Sequence, residues 1–388
     1  MTSSPLSGIT VLDLASVGPA ARTSRWLADF GARVIKVGPT PKQSGVQIVP
    51  PFYAYGGHRG MERVLLDLKA DAGREAFLAL AAKADVVIES FRPGVVDRLG
   101  IGYEAVRAVN AGVVYCSTSG YGQTGPKSQW AGHDINYLAV GGYLDCSGRN
   151  DEGGPALPGA TVADSAAGGM HAVMSILAAV VARTATGEGQ HLDVSVADGV
   201  VALMSLYIDE YLATGTVPGP GHNILTGRYA CYDVYACSDD RWVAVGAIEP
   251  HFYANLCTLL GCEQWLRSQL DDDVQDQIRA DFAAAFATRT RDEWADLLGP
   301  ADTCVSPVAT VPELVEDEHF RARDAIVTAH RVDGDAFEQT GFVLAGMDHG
   351  QAAPVVRDAT VTDTDALLAS VGYDADTIAS LRAEGAVA

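Results

Sequence analysis

Short apolar runs alternate with amphipathic stretches through the first half of the chain. Runs such as "ITVLDLA" lack polar alternation, which is typical of strands buried on both faces of a sheet. The amphipathic stretches between them repeat apolar residues at helical spacing. We predict strands over 9–15, 32–37, 85–90 and 112–119, and helices over 18–31, 71–84 and 103–110. This alternation predicts βαβ units and a mostly parallel sheet, whose ligands gather beyond the carboxyl ends of the strands.

The pattern changes after a loop rich in glycine and proline at 214–223. Before that loop, a long apolar helix is predicted over 163–189, and a strand followed by a helix over 191–215. After it, 229–248 alternates around a polar turn, as a β-hairpin does. Further helices are predicted over 250–260, 274–287 and 292–298, and two short ones over 362–385, the second opened by Asp374. The fold class is therefore α/β, with a Rossmann-like large domain and a smaller α+β domain.

Composition narrows the function classes. The chain has 388 residues and a formal charge of −22, which argues against nucleic-acid binding because phosphates need a positive face. Its seven cysteines form no CxxC pair and no histidine pair has the spacing of a zinc site, so we expect buried reduced thiols and no metal. The first strand–helix turn, "ASVGPAAR", lacks GxGxxG and disfavours NAD.

Targeting signals are also absent from the pattern. The N-terminal "MTSSPLSGITVLDLA" has no basic region before its apolar run, and we expect no signal peptide. The longest apolar stretch, 172–182, is expected to be too short to span a bilayer. We therefore expect a cytoplasmic protein.

Four titratable residues lie where helices begin or strands end: His133, Asp134, Asp164 and Glu249. Each has an ordinary structural interpretation. Asp134 would serve as a helix N-cap, Asp164 as a cap favoured in its ionised form by the helix dipole, and Glu249 as a solvated strand end before Pro250. Periodicity alone does not show whether these residues meet in space.

Several motifs resemble a known family. "ESFRPG" and "GYGQTGP" are similar to the signatures of the family III CoA-transferases (CaiB/BaiF), and "GHDINY" and "VGAIEPHFYA" resemble the α-methylacyl-CoA racemase branch. The resemblance extends over nearly the whole chain. It implies that Asp164 is functional in either branch: a nucleophile that forms an anhydride and then an aspartyl-CoA thioester in transferases, or an acid/base in racemases. It also implies that His133 is the second acid/base, assisted by Glu249.

The same resemblance suggests the residues that bind CoA. Arg92 in "ESFRPG" is the first candidate, with Lys36 and Arg59 behind it, while Lys127 is better explained as a surface charge. Gly122 and Tyr137 belong to the two motifs and are expected to contact substrate. The chain departs from its relatives after the second strand, where Gly38 and Pro39 replace usually charged residues, so a phosphate contact is lost or moved there.

Racemisation next to a thioester requires one group to remove the α-proton and another to return a proton on the opposite face. A histidine and a carboxylate can divide that work near neutral pH. The enolate oxygen needs donors, which backbone N–H groups at the helix start near Asp134 would supply. Glycines 141–142 and 168–169 allow either close approach of a thioester or tight helix packing, and Met170 and Met174 are expected to lie in the core rather than line an acyl pocket.

The resemblance also implies an interlocked homodimer in which the small domain of one chain meets the large domain of the other. The expected function is racemisation of 2-methylacyl-CoA thioesters in lipid metabolism, with CoA as part of the substrate and no separate cofactor. A family III CoA-transferase and a non-catalytic acyl-CoA binding protein remain alternatives. The acyl chain (branched fatty acid, sterol or bile-acid side chain) is open. We expect a large domain at 1–200 and 341–388, a small domain at 225–308, a linker helix and loop at 201–224, and a return linker at 309–340.

Overall fold

The computed structural model describes residues 4–15, 17–41, 60–332, 334–346, 355–357 and 361–388. Six parallel strands form the main sheet, in the order β3-β2-β1-β4-β5-β6, which confirms the α/β class. Two three-stranded sheets have the orders β7-β8-β9 and β11-β10-β12. The strands are β1 (Thr10–Asp13), β2 (Arg33–Gly38), β3 (Glu62–Leu65), β4 (Val86–Glu89), β5 (Val114–Ser119), β6 (Gln190–Ser195), β7 (Tyr232–Ala236), β8 (Trp242–Gly246), β9 (Val305–Pro307), β10 (Ile326–Arg331), β11 (Ala336–Thr340) and β12 (Val355–Val356).

Helices connect the strands of the main sheet and build much of the remaining chain. In chain order they are α1 (Gly18–Asp29), α2 (Asp71–Ala81), α3 (Val95–Arg98), α4 (Tyr103–Val109), α5 (Asp134–Val140), α6 (Tyr143–Cys146), a π-helix (Ala163–Met170), α7 (His171–Thr186), α8 (Val196–Leu203), α9 (Ser205–Thr214), α10 (Pro250–Leu260), α11 (Gln275–Phe286), α12 (Arg291–Leu298), α13 (Val311–Glu316), α14 (Glu318–Ala322), α15 (Thr364–Ser370) and α16 (Ala375–Glu384). Among the described residues, short 3₁₀ turns lie at Ile224–Thr226, Glu263–Trp265, Asp272–Val274 and Gly299–Ala301.

The chain divides into two compact units. The first comprises the described residues of Met1–Gly142, Pro158–Leu206 and Glu318–Ala388, and the second comprises Tyr143–Leu157 and Tyr207–Asp317. The second unit is thus wider than the predicted small domain at 225–308, because it also takes in 143–157, 207–224 and 309–317.

The C-terminal helices complete the core of the first unit. Leu367 and Leu381, from α15 and α16, share one apolar cluster with Leu12, Ile35 and Phe77. The Asp374 side chain accepts from the Thr377 backbone N–H at 2.8 Å, so the predicted N-cap of α16 is present.

The second unit is built around a hairpin that matches the predicted one. β7 and β8 pair antiparallel, with Tyr235 opposite Val243, and β9 adds on the far side of β8. Tyr235 stacks on Phe286 with ring centroids 5.1 Å apart, and Phe282 and Trp294 belong to the same buried cluster. Helices α10, α11 and α12 therefore cover this sheet, as the sequence predicts.

Two parts of the fold differ from the predicted elements. Strand β3 has only four residues, too few to show a periodicity, and was not predicted. Residues 309–340, predicted as a return linker, contain α13, α14, β10 and β11. The segment 201–224 agrees with prediction, since it is helical as far as Thr214.

One further expectation concerns the long apolar helix. Among the described residues, the helical stretch Ala163–Thr186 has 24 residues and passes the length and composition test for a membrane-crossing helix. The prediction from the apolar run 172–182 therefore underestimated the length of this helix. A core helix of a soluble protein passes the same test. Within the first unit this helix packs its small residues, among them Ala167, Ala172 and Ala179, against the neighbouring elements.

A buried ion pair joins the first two strands. The parallel register places Asp13 opposite Lys36, and the Lys36 ammonium lies 2.5 Å from Asp13 Oδ2. Lys36 also donates to the carbonyl of Ala15, and the second Asp13 oxygen accepts from the Ala15 backbone N–H at 2.7 Å. Because both side chains are buried, each charge needs the other.

We expect Lys36→Ala to lower the free energy of unfolding by about 3–5 kcal/mol, because it leaves the Asp13 carboxylate buried without its partner. Urea denaturation measures the loss. The control is Arg33→Ala, which removes a largely exposed pair with Glu62 and should cost under about 1 kcal/mol. Equal losses for the two variants would contradict a structural role for the Lys36 pair.

Candidate active site

Asp164 lies in the first turn of the π-helix that precedes α7. π-helical turns are uncommon in proteins, and a large share of those that occur lie at functional sites. The side chain is partly buried, and its carboxylate forms an ion pair with Arg22, whose Nη1 lies 3.5 Å from Asp164 Oδ2. The partner of Asp164 thus comes from α1, 142 positions earlier in the chain.

Glycines allow neighbouring helices to approach the π-helix closely. A Cβ at Gly168 would lie 2.7 Å from Pro19 of α1, and one at Gly169 would lie 2.8 Å from the Trp26 ring. From the other side, a Cβ at Gly199 of α8 would lie 2.0 Å from the carbonyl oxygen of Ala167. Of the two interpretations of glycines 168–169, the structure supports helix packing.

Helix packing also explains Gly141, one of the two glycines at 141–142 for which close approach of a thioester was the alternative. A Cβ at Gly141 would lie 2.4 Å from a methyl of Val200, so this glycine lets α5 pack on α8. Gly142 has nothing within 4 Å of a built Cβ, but its φ of +84° favours glycine.

His133 and Asp134 stand at the start of α5, which faces the π-helix. His133 is the N-cap residue and Asp134 is the first helical residue, so the predicted cap role of Asp134 is wrong by one position. The Asp134 side chain instead reaches across, and its Oδ1 accepts from the Asp164 backbone N–H at 2.8 Å. This bond ties the two predicted segments together.

Four charged or titratable groups act on one another here. Burial raises the pKa of Asp164 above its ordinary value, and the Asp134 carboxylate raises it further. The Arg22 guanidinium and the His133 imidazole act in the opposite direction. The net direction is upward, because burial outweighs the favourable charges.

His133 is exposed in the single chain. The reason is local. Helix α5 has only seven residues and buries only Tyr137 and Leu138. The backbone N–H of His133 donates to the Asn136 side chain at 3.0 Å, which fixes the turn that carries the imidazole.

Tyr137 lies beneath that turn. Its hydroxyl donates to the Gly132 carbonyl, and its ring meets the Tyr121 ring edge-on, with centroids 5.3 Å apart. Burial, together with the nearby Asp164 carboxylate, raises the pKa of Tyr137 to about 12. The structure thus places Tyr137 as a buried support for His133, while its predicted contact with substrate stays a prediction.

Glu249 belongs to the second unit. It is the N-cap residue of α10, is exposed, and follows strand β8 as predicted. The Cys304 thiol lies near Glu249. Partial burial is the larger cause that raises the pKa of this thiol, and the Glu249 charge raises it further.

Arg92 occupies the loop after β4 and is exposed. The loop is anchored by Glu89, whose buried carboxylate accepts from the Phe91 backbone N–H at 2.7 Å. Burial raises the pKa of Glu89 to about 7. Within the described part of the chain the Arg92 side chain has no acidic partner, which leaves it available to an anionic ligand.

The other predicted CoA contacts fare differently. Lys36 is buried in its pair with Asp13, so the structure gives it a structural role instead of an accessible one. Arg59 lies outside the described residues. Lys127 covers the Trp130 ring at 4.9 Å, in keeping with a surface role. Gly122 adopts a φ of +84° beside a cavity of ≈ 360 Å³, whose lining does not include His133 or Asp164.

Met170 and Met174 are exposed by 44% and 63%, so the prediction that they lie in the core is wrong for the single chain. The helix buries Ala172, Val173 and Ile176 and leaves the two methionines on its exposed face. The cysteines agree better with prediction, since all seven are free and five of them are buried. Among the described residues no cluster of His, Cys, Asp and Glu could hold a metal ion.

The sequence reasoning missed Arg22. It belongs to an ordinary helical stretch, and only the packing of α1 brings it to Asp164. No local signal marks it, because its two partners, Thr161 and Asp164, are distant in sequence.

Comparisons with known proteins identify the family and support the fold of the chain. The family model for CoA-transferase family III matches residues 6–356. The alpha-methylacyl-CoA racemase of Homo sapiens is 36% identical over 330 residues, covering 84% of this chain and 84% of its own. The acetyl-CoA:oxalate CoA-transferase of Acetobacter aceti is 31% identical, covering 83% and 85%. A solved CAIB/BAIF family protein from Brucella suis is similar with a TM-score of 0.80 at 26% identity, covering 95% of this chain and 100% of that one.

We expect Gly199→Ala to destabilise the protein by about 1–3 kcal/mol, because the new methyl overpacks against the backbone of the π-helix. The cost of overpacking outweighs the gain of about 1 kcal/mol in helix propensity that alanine brings in place of glycine. Chemical denaturation measures the loss. Gly159→Ala is the control: nothing lies within 4 Å of a Cβ there, and its effect should stay within about 0.5 kcal/mol. Similar values for both variants would exclude tight packing as the reason for Gly199.

Proposed function

The chain belongs to CoA-transferase family III, and we propose that within this family it is a racemase of 2-methylacyl-CoA thioesters. The single observation that carries the proposal is the juxtaposition of the His133 turn with Asp164 through the Asp134 hydrogen bond. It supplies an imidazole and a carboxylate in one unit of the protein. These are the two kinds of group that a 1,1-proton transfer requires.

In the proposed reaction, one of these groups removes the α-proton of the thioester and the other returns a proton to the opposite face. The intermediate enolate carries negative charge on the thioester oxygen. We propose that the first backbone N–H groups of α5 stabilise this charge, because the first N–H groups of a helix have no acceptor within it. Loss of one such donor costs on the order of a hundredfold in rate.

The raised pKa of Asp164 suits its carboxylate to remove the α-proton. A carboxylate with an ordinary pKa is a weak base, and burial makes it a stronger one. An imidazole can both accept and donate a proton, so the His133 side chain can carry the second proton.

CoA would be held as part of the substrate and not as a resident cofactor. The net charge of −22 makes a local cation necessary for its phosphates. We propose Arg92 for this contact, because it is exposed on an anchored loop beyond the carboxyl end of β4, where ligands of parallel sheets bind.

We further propose that the protein acts as a homodimer in the cytoplasm, with Glu249 of a second copy orienting His133. The outward face of α7 supports an association, since Met174 is exposed by 63% and Val181 by 69%. A second copy would cover these side chains. The free cysteines suit a reducing compartment.

The second candidate function is CoA transfer between carboxylic acids, with Asp164 as the nucleophile. It is favoured by the 31% identity to the Acetobacter aceti transferase and by the fact that a carboxylate can serve either chemistry. A non-catalytic acyl-CoA binding protein is the third.

Incubation of a 2-methylacyl-CoA in deuterated water distinguishes the three. We expect deuterium at the α-carbon without any added acid, and a loss of roughly 10²–10⁴-fold in exchange rate for His133→Ala. Mass spectrometry of the thioester measures exchange, and His330→Ala, on an exposed position of β10, is the matched control.

A transferase would instead require an acceptor carboxylate, and hydroxylamine would trap its acyl adduct on Asp164. A binding protein would do neither. Unchanged α-exchange in His133→Ala would rule out the proposed role of the imidazole.

The dimer proposal has its own test. We expect Met174→Glu combined with Val181→Glu to shift the protein from dimer to monomer in analytical ultracentrifugation, because two charges would replace the apolar contact. Val332→Glu, at another site that is 70% exposed, should leave the dimer intact. A wild-type protein that sediments as a monomer would overturn the proposal.

A further inference from the structure

Asp164 has a partner that the proposed reaction does not use. The Arg22 side chain extends from α1 and donates from Nη1 to Asp164 Oδ2 at 3.5 Å and from Nη2 to Thr161 Oγ1 at 2.9 Å. Both acceptors belong to the segment that begins the π-helix. The guanidinium therefore bridges the hydroxyl that precedes the π-helix and the carboxylate in its first turn.

The packing of α1 leaves Arg22 little choice of position. A Cβ at Gly169 would lie 3.3 Å from Arg22 Cβ, which shows how closely the stem of this arginine approaches the π-helix. The next residue, Thr23, is buried, and its hydroxyl donates to the Pro19 carbonyl at 2.9 Å and lies 3.3 Å from the Gly169 carbonyl. The backbone on both sides of Arg22 is thereby fixed.

On this geometry we propose that Arg22 is a positioning residue that fixes the Asp164 carboxylate and keeps it ionised. The inference rests on the proposed function, in which Asp164 exchanges a proton with substrate. A buried carboxylate beside a second carboxylate tends to take up a proton and turn away, and a bridging guanidinium opposes both changes.

The charges around Asp164 come from two elements. Helix α1 supplies Arg22, and α5 supplies His133 and Asp134, together with the buried phenol of Tyr137. Helix α8 packs behind the π-helix through the backbone at Gly199. Of these groups, Arg22 forms the ion pair with the carboxylate, so its removal should let burial and Asp134 raise the pKa of Asp164 further.

The test measures protonation of Asp164 directly. A water-soluble carbodiimide with an amine labels a carboxyl group only in its protonated form, and peptide mass spectrometry locates the label on Asp164. In wild type, labelling should fall as pH rises through the pKa of Asp164. In Arg22→Gln, which keeps hydrogen-bonding capacity but loses the charge, the midpoint should move upward by about one pH unit or more.

Two further variants control the result. Arg22→Lys keeps the charge without the fork that spans two acceptors, and its midpoint should lie between those of wild type and Arg22→Gln. Arg25→Ala removes the next arginine of α1, which hydrogen-bonds to Thr340, and should leave the midpoint unchanged. Coincident midpoints for wild type and Arg22→Gln would overturn the proposal.

Exchange kinetics supply the second readout. Because the ionised carboxylate acts as the base, the rising limb of α-exchange with pH should move to higher pH in Arg22→Gln by the same amount as the labelling midpoint. A shifted midpoint without exchange in any variant would refute the racemase proposal and leave the role of Arg22 standing. Exchange at the normal rate, with neither the pH limb nor the labelling midpoint shifted in Arg22→Gln, would refute the role of Arg22 and leave the racemase proposal standing.

Discussion

Close packing of α1 and α8 against the π-helix is the constraint on which the candidate site depends. Glycines at 168, 169 and 199 remove the side chains that would hold these helices apart. Their approach brings the guanidinium of Arg22 to Asp164, while Asp134 holds the backbone of the same residue from α5. The position of the Asp164 carboxylate is thus set by α1, α5 and α8 together, and these three helices lie apart in the sequence.

Electrostatics follow from that packing. The protein carries a large negative charge, yet the two carboxylates at the site lie beside an arginine and a histidine. Burial and Asp134 work against ionisation of Asp164, and the nearby Arg22 and His133 side chains favour it, so its protonation state depends on a balance of opposing contributions. Asp13 and Lys36 show the other outcome: there a buried pair satisfies both charges and serves only the fold.

The sequence predicted the parts of the fold that depend on local pattern. The strands and helices of the sheet, the hairpin of the second unit and the Asp374 cap all follow from periodicity or capping chemistry within a few residues. It failed where the structure is decided by distant partners. Arg22 looks like any helical arginine, and Met174 looks like core, because neither the direction of a helix face nor a contact between remote residues is encoded in spacing. His133 and Asp164 were found through motif resemblance, and their proximity to each other was not derivable from the chain.

The division of the first unit has a consequence for biosynthesis. Leu367 and Leu381 complete a core that begins with Leu12 and Ile35, so one face of the sheet waits for residues translated roughly 350 positions later. Residues 207–317, in contrast, contain a whole apolar cluster of their own and can close it on the ribosome. Part of one face of the nascent sheet therefore lacks its covering helices until the C-terminus is translated, and chaperones can bind it during that interval.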